Sequence, residues 1–103
     1  IGLFLYVRAV EANPLPIDAR MFPLNPHLSG IAEDPATGSA SAILAGHLQR
    51  SVHGGPKRLR ISQGIDMGRP SLIETEVELE GGVAKAIRVK GQSVQMMAGR
   101  LTF

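Results

Sequence analysis

The stretch Asp34-Pro35-Ala36-Thr37-Gly38-Ser39-Ala40 opens the strongest helix signal in this chain of 103 residues. Aspartate is a favoured N-cap and proline a favoured first helical residue, so we predict that Asp34 caps a helix over residues 36–50. Small and apolar residues fall on most sides of this helix, which predicts close packing by neighbouring elements. Gly54-Gly55-Pro56 marks its end.

Two strands are predicted before the helix. Residues 3–10 are largely apolar and suit a mostly buried strand. Asn13-Pro14-Leu15-Pro16 predicts a turn or linker. Residues 18–24 then alternate as a second strand, which Pro23 brings to its end because proline cannot donate to a sheet. A loop is predicted for residues 25–30.

Four strands are predicted after the helix. Residues 57–63 alternate, and from Ile73 the apolar side chains regularly face away from a row of four glutamates. Gly81-Gly82 turns the chain back into a strand over residues 83–90. A last strand is predicted for residues 93–97, with one methionine of Met96-Met97 in the core and the other exposed or at an interface, and with a bulge at Gly99.

Two registers are open for the hairpin around Gly81-Gly82. A two-residue loop would pair Glu76 with Ile87, which brings a carboxylate beside a core residue. A three-residue loop over residues 80–82 would pair Thr75 with Ile87 and Glu74 with Arg88, which keeps the apolar side chains together. We therefore predict the three-residue loop, with a glycine in the left-handed conformation.

The order of elements indicates an α+β fold in which a mostly antiparallel sheet curls around one central helix. The length suits one domain over residues 1–103. The chain starts at Ile1 without an initiator methionine, and the strand pattern begins almost at once, so we expect that the first half of a longer protein precedes it.

Composition excludes several classes of function. There is no cysteine, so thiol nucleophiles and disulfides are absent, as in many proteins of reducing compartments such as the cytoplasm. A net charge of +2 and an aromatic content of 4% argue against nucleic-acid binding. The apolar runs are far shorter than the roughly 20 residues of a membrane span.

The start of the predicted helix has two interpretations. Its first N–H groups lack internal partners, so Thr37, Gly38 and Ser39 could present amides and a hydroxyl to an anion, with the Asp34 carboxylate at the mouth of the site. That carboxylate could orient a substrate or relay a proton. The simpler interpretation is an ordinary capping turn without a ligand.

Several motifs together resemble the PhzF family of phenazine-biosynthesis-like isomerases. Glu33-Asp34-Pro35-Ala36-Thr37-Gly38-Ser39-Ala40 resembles the family's EDPxTGSA hallmark. Gln63-Gly64 and Met67-Gly68-Arg69-Pro70-Ser71 resemble its QGxxMGRPS signature. The strand Asp18-Ala19-Arg20-Met21-Phe22 and the closing Val89-Lys90-Gly91-Gln92-Ser93-Val94 also fit, so the resemblance covers essentially the whole chain.

This resemblance implies a diaminopimelate-epimerase-like fold with two lobes and an active site between them, of which this chain is the C-terminal lobe. It implies a cytoplasmic biosynthetic isomerase that uses neither a metal nor an organic cofactor, with a small carboxylate-bearing substrate. It also implies a homodimer. The principal acid/base glutamate of the family lies in the N-terminal lobe, so this chain alone is expected to be inactive.

The resemblance also implies roles for individual residues. Asp34 and Ser39 become the catalytic residues, and the substrate-binding set comprises Thr37, Gly38, Ser39, Gly68 and Arg69. Gly68 and Arg69 either line the cleft or only shape a bend, and we favour the bend. Glu33 is expected to pair structurally. His47 and His53 lack the spacing of a helical metal pair, so no metal site is predicted. The alternative function is a non-catalytic binding module that keeps the fold and the anion site.

Overall fold

The computed structural model describes residues 2–8, 12–24, 30–51 and 55–103. Within these ranges the chain forms strands β1 (Gly2–Arg8) and β2 (Leu15–Pro23), helix α1 (Gly38–Ser51), and strands β3 (Arg58–Gln63), β4 (Ser71–Glu80) and β5 (Val83–Lys90). The predicted α+β class is confirmed. Residues 9 and 10 of the first predicted strand, the predicted loop at residues 25–29, His53 and Gly54 lie outside the described residues.

The strands form one mixed sheet in the order β1-β2-β3-β4-β5. Strands β2 and β3 are parallel, and the other neighbours are antiparallel. Parallel neighbours need a long crossover connection, and α1 lies in that connection. The sheet is therefore mostly antiparallel, as predicted, with one parallel pair at its centre.

The core lies between the sheet and one side of α1, which packs mainly against β4 and β5. Leu15, Ile17, Leu59 and Ile61 have at most 2% of their surface exposed. The predicted close packing holds for most of the helix, since the positions that face the sheet are buried: Ser41, Leu44, Ala45, Gly46, Leu48 and Gln49. One stripe is exposed, with Ile43 at 73%.

Strand β1 is an edge strand, and the prediction that it is mostly buried is wrong. Leu3 is 53% exposed and Val7 is 65% exposed. These side chains alternate with Phe4, which packs against the core. An apolar run cannot distinguish a central strand from an edge strand. The helix packs mainly against β4 and β5, at the opposite end of the sheet from β1. Strand β2 begins at Leu15, inside the predicted turn, and Leu15 is fully buried.

The hairpin between β4 and β5 closes through two residues, not the predicted three. Gly81 and Gly82 both have positive φ, as a type I′ turn requires, and Glu80 pairs with Val83. A register shift between Glu78 and Leu79 then restores the inside-outside pattern. Thr75 therefore pairs with Val89, not Ile87, and Glu74 pairs with Lys90, not Arg88. A regular two-residue hairpin would pair Glu76 with Ile87, but the bulge shifts the register so that Val77 pairs with Ile87 instead.

The predicted last strand does not form. Residues 91–103 have no strand structure, and both Met96 and Met97 are exposed, at 83% and 91%. Alternation predicts which side chains share a face, but a strand also needs a partner edge. Within the described chain this segment has none, so neither the core methionine nor the bulge at Gly99 is present.

Candidate functional site

The site is built where β3 ends beside β2. Strand β3 pairs with β2 up to the partners Ala19 and Gln63. Two residues further along β2, the Asp34 N–H donates to the Met21 carbonyl at 2.9 Å, which forms an isolated bridge. Asp34 therefore pairs with β2 just beyond the point where β3 stops pairing with it. Gln63 lies next to the loop that enters the helix.

The helix begins later than predicted. Thr37 caps it, because the Thr37 carbonyl accepts from the Ser41 N–H at 3.1 Å and from the Ser41 hydroxyl at 2.8 Å. The prediction that Asp34 is the cap is wrong. Its carbonyl, which would accept the first helical bond, instead accepts from Gln63 Nε2 at 2.8 Å. The first turn consequently starts at Gly38, an exposed residue whose N–H precedes the first helical hydrogen bond.

The Asp34 carboxylate folds back over this short loop. Its Oδ2 accepts from the Thr37 hydroxyl at 2.7 Å, and its Oδ1 accepts from the Ala36 N–H at 3.3 Å. Asp34 is partly buried, whereas Ser39 is exposed in the first helical turn. Within the described part of the chain, the Ser39 hydroxyl makes no protein hydrogen bond. Asp34, Thr37, Gly38 and Ser39 are thus brought together at one helix start, as predicted.

Gln63 organises this loop and was not among the predicted site residues. Its side chain is fully buried, its Oε1 accepts from the Thr37 N–H at 3.1 Å, and its Nε2 donates to the Thr37 hydroxyl at 2.9 Å. The sequence carried a signal for its position. Gln63 shares the parity of Leu59 and Ile61 along β3, so alternation already places it on the core face.

The turn between β3 and β4 packs directly on the same loop. Gly64 has a φ of 79°, and a Cβ built there would overlap the Arg69 carbonyl and lie 3.0 Å from the Pro35 carbonyl oxygen. The Ser71 hydroxyl donates to that Pro35 oxygen at 2.7 Å. Residues of the two family-like motifs are therefore in direct contact, and the Ser71–Pro35 hydrogen bond joins positions 36 residues apart.

Gly68 and Arg69 lie in this turn. The Gly68 N–H donates to the Ile65 carbonyl at 3.0 Å, and the Arg69 N–H donates to the Gly64 carbonyl at 2.9 Å. Gly68 has a φ of 77°, which suits the bend. Both residues are exposed, and the Arg69 carbonyl lies beside Gly64. Their contact with a substrate stays a prediction.

Glu33 forms an ion pair with Arg20. The guanidinium Nη2 lies 2.8 Å from Glu33 Oε1, and Nε donates to Oε2 at 3.3 Å. These hydrogen bonds lower the pKa of the Glu33 carboxyl, against the opposing effect of desolvation. The Glu33 side chain is only 11% exposed. The pair ties the loop to β2, which agrees with a structural role for Glu33.

An open groove of about 480 Å³ runs beside the helix start. Its lining includes Thr37 and Ser39 together with the apolar side chains of Phe4, Met21 and Ile43. Such a groove offers both hydroxyls and apolar surface to a small ligand. Among the described residues, no group of three or more His, Cys, Asp or Glu side chains is placed to hold a metal ion. None of the helices described is long and apolar enough to cross a membrane.

A family model described as "Phenazine biosynthesis-like protein" (PhzC-PhzF) matches residues 4–99. The chain belongs to this PhzF-like family. The predicted recognition is thereby confirmed, and the family model covers both halves of the site, the Asp34 loop and the Gln63 turn.

The relatives of this PhzF-like chain are named as isomerases. An uncharacterized isomerase of Mesorhizobium japonicum is 42% identical over 71 residues, which cover 67% of this chain and 24% of the relative. The trans-2,3-dihydro-3-hydroxyanthranilate isomerase of Pseudomonas aeruginosa is 38% identical over 73 residues, covering 69% of this chain and 26% of the relative. The matched region thus spans about a quarter of these relatives.

Proposed function

We propose that this chain is the C-terminal part of a cofactor-independent isomerase that moves a proton on a small, carboxylate-bearing substrate. The observation that carries the proposal is the Asp34 carboxylate held 2.7 Å from Thr37 Oγ1 at a helix start with exposed Gly38 and Ser39. The isomerase names of the relatives support the reaction class.

Each group at the helix start has a chemical task in this proposal. The Gly38 and Ser39 amides and the Ser39 hydroxyl bind the substrate carboxylate, because helix N-termini favour anions. Asp34 assists the proton transfer or positions the substrate beside the transferred proton. Thr37 holds the Asp34 carboxylate in place through its hydroxyl. Gly68 and Arg69 form the outer part of the site, where the cationic side chain attracts an anionic substrate.

The remainder of the active site is proposed to come from an N-terminal lobe that supplies the principal acid/base glutamate. The relatives are about four times longer than their matched region, which leaves ample length for such a lobe. In this arrangement the chain is one lobe of a diaminopimelate-epimerase-like fold, and the protein works as a cytoplasmic homodimer. The groove beside Thr37 and Ser39 faces the cleft between the lobes.

The test follows solvent deuterium into the substrate. The full-length protein carrying this chain is incubated in D₂O with trans-2,3-dihydro-3-hydroxyanthranilate and a panel of small cyclic and amino-acid-like carboxylic acids. Deuterium uptake at carbon is measured by NMR. We expect uptake into at least one acid. Asp34→Asn should lower kcat by at least about 100-fold, the usual scale of acid-base catalysis.

A matched variant separates chemistry from general charge effects. Asp66→Asn removes another carboxylate, which is 65% exposed and lies 3.4 Å from Arg20. It should retain the parent kcat. Ser39→Ala should raise KM about tenfold, corresponding to the loss of one hydrogen bond of about 1.4 kcal/mol. Tight binding of an acid without any deuterium uptake would instead favour the non-catalytic binding module.

A further inference from the structure

Gln63 is a polar side chain with no exposed surface. A buried amide is destabilising unless its donors and acceptor find partners. Three contacts supply them: Oε1 accepts from the Thr37 N–H at 3.1 Å, and Nε2 donates to the Asp34 carbonyl at 2.8 Å and the Thr37 hydroxyl at 2.9 Å. Every partner belongs to the loop that carries the proposed catalytic carboxylate.

These contacts fix the direction of the Thr37 hydroxyl. The amide cannot be reversed, because its NH₂ group would then face the Thr37 N–H, a donor against a donor. Since Nε2 can only donate, Thr37 Oγ1 must accept from it and use its own hydrogen elsewhere. That hydrogen points to Asp34 Oδ2, 2.7 Å away. Gln63, Thr37 and Asp34 thus form a hydrogen-bond relay, in which Gln63 donates to Thr37 and Thr37 donates to Asp34.

The relay makes the two oxygens of Asp34 unequal. Oδ2 accepts a short bond from Thr37, whereas the contact of Oδ1 with the Ala36 N–H is longer, at 3.3 Å. We infer that Gln63 is a positioning residue of the isomerase, which acts through Thr37 to hold Asp34 with Oδ1 as the oxygen that faces the reaction. This inference rests on the proposed function. It adds a residue that touches no substrate, because its side chain is fully buried.

The experiment compares kcat and KM of variants of the full-length protein in the deuterium assay. The probe is trans-2,3-dihydro-3-hydroxyanthranilate or whichever acid of the panel takes up deuterium. Gln63→Met keeps the length of the side chain but removes all three hydrogen bonds. Thr37→Val keeps the shape of Thr37 but removes the hydroxyl, and Thr37→Ser keeps the hydroxyl. Thermal unfolding of each variant checks that it is folded at the assay temperature.

We expect Gln63→Met and Thr37→Val each to lower kcat about 10- to 100-fold, because a misplaced catalytic group costs rates of this order. The KM of Gln63→Met should change less than about threefold, since Gln63 makes no contact with substrate. Thr37→Ser should recover most of the lost kcat. The double variant Gln63→Met/Thr37→Val should be about as slow as the slower single variant, because both changes break one relay.

Ser71→Ala is the matched control. It also removes a partly buried hydrogen bond to the loop, 2.7 Å to the Pro35 carbonyl, but leaves the Gln63–Thr37–Asp34 hydrogen bonds intact. Its kcat should stay within about threefold of the parent. Equal losses in Ser71→Ala and Gln63→Met would overturn the positioning role in favour of loop stability alone. If Gln63→Met does not fold, parent-like kcat in Thr37→Val overturns it. A parent protein that exchanges deuterium into none of the acids refutes the proposed function itself.

Discussion

Gly64 is the position where an added methyl group should perturb the site most. In Gly64→Ala the new Cβ would overlap the Arg69 carbonyl and lie 3.0 Å from the Pro35 oxygen. Both obstacles are backbone atoms, which cannot rotate away. The φ of 79° adds a further cost of about 1–2 kcal/mol for a side chain in the left-handed region. With an overpacking cost of about 1–3 kcal/mol, the substitution should destabilise the protein by about 2–5 kcal/mol.

Gly68 provides a control within the same turn. Its φ of 77° nearly equals that of Gly64, but a Cβ there would meet nothing within 4 Å. Gly68→Ala should therefore carry only the backbone cost of about 1–2 kcal/mol. The difference between the two variants isolates the steric clash against the Asp34 loop.

Urea unfolding followed by circular dichroism measures both changes. The slope of the transition should be the same in each variant, so that shifts of the midpoint report stability. Equal midpoints for Gly64→Ala and Gly68→Ala would refute the reasoning, because the clash would then contribute nothing. Greater destabilisation in Gly68→Ala would contradict it more strongly. The deuterium assay adds a second measurement, since movement of the Pro35 carbonyl should also lower kcat in Gly64→Ala.

Two further predictions concern the ion pair and the helix. Because Arg20 lowers the folded-state pKa of Glu33, the stability that this pair contributes should be complete above the ordinary value of 4.5 and lost as the pH falls through the lower folded-state value. The difference in urea midpoint between the parent and Glu33→Gln should therefore be constant from pH 7 to 5 and shrink below; a difference that grows on acidification would contradict this sign. Gly46→Ala should stabilise the protein by about 0.5–1 kcal/mol through helix propensity, because its new Cβ would meet only the tip of Ile87, at 3.0 Å. Thermal unfolding measures the effect, and a loss of stability would mean that Ile87 cannot move aside.

Periodicity predicted the parts of the fold that depend on which face a residue occupies. Ile73, Thr75 and Val77 are buried as the alternation of β4 indicated. The facing pattern of the hairpin was correct away from the turn, where Thr75 pairs with Val89, but the register was wrong. The irregularity between Glu78 and Leu79 places Val83 beside Glu80 and leaves it exposed. No residue type at that position predicts such a bulge.

The candidate site was predicted as a set of neighbours but not as a hydrogen-bond arrangement. Asp34 to Ser39 are adjacent in sequence, so a helix start brings them together by local geometry. Gln63 enters the site through the parallel pairing of β2 with β3, which is a non-local contact. A glutamine on the core face could be recognised by parity, but its three partners depend on where Asp34 meets β2. The exposure of β1 likewise depends on which strands the helix covers.

The parallel pairing of β2 with β3 also has a consequence for how the chain folds. Gln63 meets Thr37 across 26 residues and the Asp34 carbonyl across 29, so the chain must close a long loop before any of these contacts can form. The β4–β5 hairpin closes through only two residues and has no such entropic barrier. The hairpin should therefore appear early in folding, and the catalytic loop should be ordered only when the crossover helix has docked. We therefore expect the site to form late in folding, after β2 and β3 have paired.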